Sequence, residues 1–361
     1  MTTLSHTELN HLAQKIKHWG YELGFQQVGI SDIDLKEAEQ HLNQWLKNNY
    51  HGDMAYMSKH GLKRSRPALL HEGTQRIISV RMDYLHDSHA NMQHNLTDAS
   101  AAYISRYALG RDYHKVMRHR LQRLADKINS QLTTTTDFKP RVFVDSAPVL
   151  EKAIAQKAGL GWIGKHSNLI NRRAGSWFFL GELFTNLALP IDAATENHCG
   201  SCSSCLQICP TQAIVAPYQV DARRCVSYLT IELQGAIPIE YRPLIGNRIY
   251  GCDDCQIICP WNRFANLSAE KDFNPRKQIT NQQLIAMSAW TEAEFLKNTE
   301  GSAIRRIGYV HWLRNCAVAL GNAPAYPSIF NALETLLAHS SALVSQHASW
   351  ALQQLNLKIR L

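Results

Sequence analysis

Apolar positions recur at steps of three and four along residues 5–24, where Leu9, Leu12, Ile16, Trp19 and Leu23 form one face. That spacing predicts an amphipathic helix. Ser5 and Glu8 stand three apart at its start, the spacing of a capping box. A second helical stripe runs through Leu35, Ala38, Leu42 and Trp45 and fades towards Gly52. The segment RIISV at 76–80 is short and β-branched, which predicts a buried strand. Residues 112–132 predict a third amphipathic helix, with Met117, Leu121, Leu124, Ile128 and Leu132 inward. Its other face carries Lys115, Arg118, Arg120, Arg123 and Lys127 and reads as a solvated face rather than an RNA contact.

A loop at 133–140 leads to RVFV at 141–144, which reads as a strand with Asp145 at its C-terminal end. Pro148 is expected in the first turn of a helix that runs to about Ala158, with Gly159 ending it. A turn-rich stretch, GLGWIGKHSNLI, precedes a long β-like run at 176–189. The alternation of strands and helices through 1–190 predicts an α/β or α+β domain. Beyond about 280 the pattern is mostly helical. NCAVAL at 315–320 and HASWAL at 347–352 stand 32 residues apart, a faint echo of a helical repeat and short for HEAT.

With 45% apolar and 19% charged residues, the 361-residue chain is composed like a folded protein with room for two or three domains. No apolar signal segment and no run long enough to span a membrane is visible, so a cytoplasmic protein is expected. The 38 basic residues exceed the 30 acidic ones, a formal charge of +8 that favours an anionic partner. Eight of the nine cysteines fall between 199 and 259. In a reducing compartment that density points to a metal site rather than to disulfides.

The first four, Cys199, Cys202, Cys205 and Cys209, are spaced C-x2-C-x2-C-x3-C and are followed by Pro210. This is the bacterial ferredoxin run, in which three thiolates grip one [4Fe–4S] cluster and the fourth reaches a second. Cys252, Cys255 and Cys259, followed by Pro260, form an incomplete second run with Ile249 where a cysteine would stand. Cys225 makes up the eight thiolates that two cubanes need. The interlocked rule assigns Cys199, Cys202, Cys205 and Cys259 to one cluster and Cys209, Cys225, Cys252 and Cys255 to the other. Structural zinc is the competing reading, but zinc sites pair C-x2-C motifs and do not repeat a C-P ending. Cys316 reads as a core thiol. No dinucleotide fingerprint and no P-loop is present.

RYALGRDYHK at 106–115, VDSAPVLEKAIAQKAGLGWIGKHSNLI at 144–170, CVSYLTIE at 225–232, GCDDCQIICPWN at 251–262 and the cysteine runs resemble, in order, the epoxyqueuosine reductase family. The resemblance covers almost the whole chain. It implies a nitroreductase-like α/β cobalamin domain at 1–190, a ferredoxin-like two-cluster module at 191–265 and a helical, HEAT-like region at 266–361. It implies removal of the epoxide oxygen of epoxyqueuosine at the tRNA wobble position, with the clusters feeding electrons to cobalamin. The resemblance implies no protein histidine on the cobalt, and the D-x-H-x-x-G motif of another cobalamin class is indeed incomplete here, with Met117 and Met92 at its glycine position.

By the same resemblance Asp145 is the proton donor, a role that at neutral pH needs a raised pKa. Read from the residues alone, Asp145 could equally cap the helix near Pro148. Arg64, Tyr107, Asp145, Lys165, His166, Ser167, Asn168, Ser227 and Asp253 are the implied cobalamin contacts. Trp162, Trp177 and Trp261 read as core or cofactor-wall residues. Arg223, Arg224, Arg248, Arg263, Arg305, Arg306 and Arg314 are candidate phosphate contacts for tRNA. An unidentified electron donor and a monomeric state complete the expectation. The alternatives are a two-cluster reductase of a small molecule and an RNA-binding protein with structural clusters.

Overall fold

The computed structural model describes residues 4–133 and 136–360; Thr134 and Thr135 of the expected loop lie outside them. At its centre is a four-stranded antiparallel sheet in the order Gln27–Ser31, Arg76–Asp83, Phe178–Thr185, Arg141–Phe143. Strand Arg76–Asp83 is buried at every residue after its first, as the β-branched run predicts. It continues past Val80 because Arg81 and Asp83 pair with one another at 2.8 Å inside the fold. An apolar pattern does not register such an ion pair.

Helix His6–Glu22 begins at the expected capping box, with both Ser5 and Glu8 bonds formed. Helix Tyr113–Gln131 is capped by Asp112, whose carboxylate accepts the His114 N–H. Both helices pack on one face of the sheet, burying Ile16, Met117, Leu121 and Leu124 against Val80 and Leu183. Each such side chain contributes roughly 1.5–3 kcal/mol on burial. The other face is covered by helix Glu151–Lys157, whose Ile154 meets Ile77, Phe143 and Phe184. Gly29 lets this region close: a Cβ there would stand 2.0 Å from the Ala158 carbonyl oxygen.

That helix starts later than Pro148 suggests. Residues 144–149 form tight turns, with Ser146 N–H on the Val144 carbonyl and Val149 N–H on that of Ala147. Leu150 is the cap residue and offers no side-chain bond. Pro148 therefore lies in the turns, and Asp145 caps nothing.

Helices Gly308–Asn322 and Ala342–Arg360 carry the two echoing segments and pack on one another, with Gly321 against Ala351 and Trp350. Helix Pro327–Leu337 completes the group. The cores cross the expected boundaries at 190 and 265. Strand Tyr103–Ile104 pairs in parallel with Arg248–Tyr250. Ile104 and Leu109 share a core with Leu229, Ile249, Trp312 and Cys316, while Ile257 and Phe273 join the core of the sheet. Cys316 is fully buried there. Among the described residues no helix is long and apolar enough to cross a membrane.

Candidate active site and cluster segment

The two cysteine runs fold onto each other through short helices, Ser204–Ile208 and Asp254–Ile257. Their thiols gather in two sets. Burial raises the Cys205 thiol to about 11, helped by its neighbours Cys259, Cys199 and Cys202. Burial likewise raises Cys255, beside Cys225 and Cys209, and Cys252 has Cys225 and Cys255 at hand. The chain thus brings Cys259 to the first run and Cys209 to the second. Ile249 lies fully buried in strand Arg248–Tyr250, so that position faces the core instead of a cluster. Cys225, capping helix Val226–Ile231, stands in its place. The Ala213 N–H points at Cys209 Sγ, 3.2 Å away, ready to support a thiolate.

Asp145 follows strand Arg141–Phe143 in the left-handed region, φ 48°, a conformation that costs a non-glycine residue about 1–3 kcal/mol. Its carboxylate accepts bonds from the Tyr113 hydroxyl and from His114 Nε2, the latter at 3.1 Å. The other ring nitrogen of His114 donates to Asp112 Oδ1 at 2.7 Å. Tyr113 is held flat on Phe179, ring centroids 4.0 Å apart. Burial alone would lower the His114 pKa, but its two carboxylate partners outweigh burial and push it up to about 9. Burial alone would raise Asp145, but the bonds from His114 and Tyr113 bring it below the usual range. The expected raised pKa is therefore not found on Asp145. The proton rests on His114, which in the sequence stands out only as part of an incomplete D-x-H-x-x-G motif with Asp112, since its other partner, Asp145, is 31 positions away.

The Asp145 side chain is half exposed. Lys152 is also solvent-exposed, yet burial by surrounding protein lowers its pKa, with Glu151, Asp145 and Cys255 close enough to act on it. The charge of Arg306, which lines an open crevice of about 210 Å³, also acts on Asp145. His166 is buried, and burial with the Lys152 charge lowers it to about 4, so the imidazole is neutral. Its Nδ1 accepts the Asn168 N–H, while Nε2 is buried without a partner. Tyr107, Ser227 and Glu232 line the crevice with Arg306. Arg64 is buried with Nη2 on the Tyr56 carbonyl and Nε unpartnered. Ser167 occupies the left-handed region in the turn beside His166. Trp162 and Trp177 are buried.

Two expected cofactor contacts are engaged elsewhere. Lys165 donates to the carbonyls of Gly200 and Cys202, clamping the first cysteine loop. Asp253 is buried, and its oxygens take the Tyr103 and Ser105 hydroxyls and the Arg106 N–H. It organises the cluster segment instead of facing the crevice.

Residues 64–146 match the family model of epoxyqueuosine reductase QueG, DUF1730, and residues 198–262 match that of a 4Fe-4S double cluster binding domain. Over 352 residues the chain is 58% identical to the epoxyqueuosine reductase of Pseudomonas aeruginosa, covering 97% of this chain and 96% of that protein. The chain belongs to the epoxyqueuosine reductase family. It is 58% identical to the Escherichia coli epoxyqueuosine reductase over 347 residues, 96% of this chain and 90% of that one. Two solved epoxyqueuosine reductases are similar in fold. One, with an epoxyqueuosine-modified tRNA-Tyr stem loop, has TM-score 0.86 and 27% identity over 96% of this chain and 90% of its own. The other, from Bacillus subtilis with its Asp catalytic loop swung out of the active site, has TM-score 0.85 and 26% identity over the same shares. The chain is therefore an oxidoreductase with a mixed α/β fold and a 4Fe-4S segment.

The arginines expected to meet tRNA divide sharply in this epoxyqueuosine reductase fold. Arg305 and Arg306 are exposed, and Arg306 pairs with Glu232 at the pocket. Arg223 is exposed and bidentate with Asp221, and Arg224 is half-buried. Arg263 stacks on Phe264 in a basic groove of about 700 Å³ with Arg172 and Arg173. Arg248 and Arg314 are corrections. Arg248 is buried and bidentate with Asp254. Arg314 is fully buried and donates to the carbonyls of Leu229, Leu233 and Gly235. Arg314→Met should lower stability by roughly 3 kcal/mol, because the carbonyls lose their donors. A denaturation midpoint unchanged from the parent would contradict that.

Proposed function

We propose that the chain reduces epoxyqueuosine to queuosine at the wobble position of tRNA. The observation that carries this reading is the Asp145–His114 pair, half exposed beside Arg306 of the open crevice, with Lys152 and Cys255 of the second thiol set near by. Removing the epoxide oxygen as water takes two electrons and two protons. The eight cysteines would hold two [4Fe–4S] clusters in the interlocked sets, and the second set includes Cys255, which acts on Lys152 near Asp145. The residues present fit cobalamin's amide-rich periphery: Tyr107 and Ser227 line the crevice, and neutral His166 with an unpartnered Nε2, Arg64 with an unpartnered Nε, Ser167 and Asn168 would add further contacts. When bound, cobalamin supplies the electron-rich centre that the clusters reduce.

The chain's own residues would handle the protons. His114 stores one as an imidazolium and Asp145 stands between it and the crevice. Substrate covering the half-exposed Asp145 carboxylate removes water from it, which raises its affinity for the His114 proton. Asp145 then delivers that proton to the departing oxygen, and the second proton needed to release water comes from solvent. Arg305, Arg306, Arg223, Arg224 and Arg263 remain candidates for the tRNA backbone. We retain 1–190, 191–265 and 266–361 as a functional division into cofactor domain, ferredoxin-like module and HEAT-like helices, joined by shared cores.

The test is direct. Protein loaded with clusters and cobalamin, given reductant and tRNA bearing epoxyqueuosine, should yield a nucleoside lighter by one oxygen in mass spectrometry. No mass change would sink the proposal. The stored proton has its own signature. His114 stays charged until pH rises through about 9, so turnover should fall there. The stability contributed by its ion pairs is full below the unfolded histidine pKa and is lost over the same rise. His114→Gln should abolish that alkaline limb of the pH–rate profile; a profile identical to the parent's would remove His114 from the proton path.

A further inference from the structure

Glu182 stands in the middle of strand Phe178–Thr185 and has no exposed surface. Neither of its carboxyl oxygens meets a hydrogen-bond partner of the ordinary donor–acceptor kind. In the sheet it lies opposite Ser79 on one side and Phe143 on the other, and the Ser79 hydroxyl is also buried without a partner. Residues opposite one another share a face, so Glu182 points with Phe184 and Phe143 to the side covered by helix Glu151–Lys157. Helix Glu151–Lys157 packs on this strand and brings the carboxyl of Glu151 to that of Glu182. Two ionised carboxylates offer only acceptors. They satisfy one another only with a proton between them.

We infer that Glu151 and Glu182 share one proton and that this pair is the anchor that positions Asp145. Glu151 Oε1 accepts the backbone N–H of Asp145 at 2.5 Å. Asp145 sits at positive φ, a backbone state that needs holding. The shared proton fixes the Glu151 carboxyl from behind, and Glu151 fixes the loop. Other groups face the pair from each side: Asp145 from the loop and Lys152 from the helix of Glu151. Strand Arg76–Asp83 presents Ser79, and Tyr113 and His114 reach Asp145 from their own helix. Burial raises both carboxyls, with the charge of Asp145 adding to Glu151 and that of Glu151 to Glu182, as a shared proton requires.

Glu182 is a positioning residue, and its role in catalysis rests on the reading of Asp145 given above. The proton itself does not. Infrared spectra of the cluster-loaded chain should show a protonated carboxyl at neutral pH, shifted in deuterium oxide and lost in both Glu182→Gln and Glu151→Gln. Absence of that band in the parent, or its persistence in both variants, overturns the shared proton. Positioning is read by kinetics. Glu182→Leu fills the same buried space without a polar group, so it should melt no lower than the parent, yet kcat should drop roughly tenfold to a hundredfold through misplacement of Asp145. KM for tRNA should be unchanged, and Glu182→Gln, whose amide donates in place of the proton, should restore most of kcat. Full kcat in Glu182→Leu overturns the positioning role while leaving the infrared result to stand alone.

Discussion

Asp145→Asn should lower turnover of epoxyqueuosine tRNA by about 10²- to 10⁴-fold, the range for loss of a general acid. Asparagine keeps the shape and can still meet Tyr113, but it cannot carry the proton between His114 and the crevice. The substitution has a second effect that needs no turnover. His114 owes part of its raised pKa to Asp145, through a hydrogen bond and its charge. With only Asp112 left as anion, the His114 titration should move down from about 9. Histidine resonances followed by NMR in parent and variant report this shift. Unchanged turnover would return Asp145 to a structural role, and an unmoved His114 would show that the two side chains are not coupled.

Cys225→Ser should have the other large effect. The expected iron content falls from about eight atoms per chain, two cubanes, to about four. Turnover should fall to background, because the proposed set of Cys209, Cys225, Cys252 and Cys255 includes Cys255, which acts on Lys152 near Asp145. Serine cannot substitute in practice, since burial that raises the Cys225 thiol disfavours an alkoxide still more strongly. Iron analysis with Mössbauer spectra separates loss of one cluster from loss of both. A full complement of iron would refute the assignment of Cys225.

Much of the fold was legible because burial and helical period are local properties. The capping box at Ser5, the face of helix Tyr113–Gln131 and the strand at Arg76 each declare themselves within a dozen residues. The cysteine rhythm is legible for the same reason. The proton site is not local. Asp145, His114, Glu151 and Glu182 meet only after the sheet has paired strand Arg141–Phe143 with Phe178–Thr185 and laid helix Tyr113–Gln131 across it. The arginines failed in the opposite direction. Arg248 and Arg314 look like surface charge in a basic chain, but Asp254 and a set of backbone carbonyls draw them inside. Charge counted along a chain does not tell which cations are already neutralised or solvated by the protein itself.

The contact between Lys165 and the first cysteine loop has a consequence for how the protein matures. Lys165 adjoins His166 in one turn, and its ammonium is tied to the carbonyls of Gly200 and Cys202. Those carbonyls belong to a loop whose course is fixed by what its thiols grip. If iron insertion sets that loop, it also holds the Lys165–His166 turn, and a chain starved of iron should take up its large organic cofactor poorly. Assembly then has a direction, with the inorganic centres first, and the last component enters a chamber that is already wired.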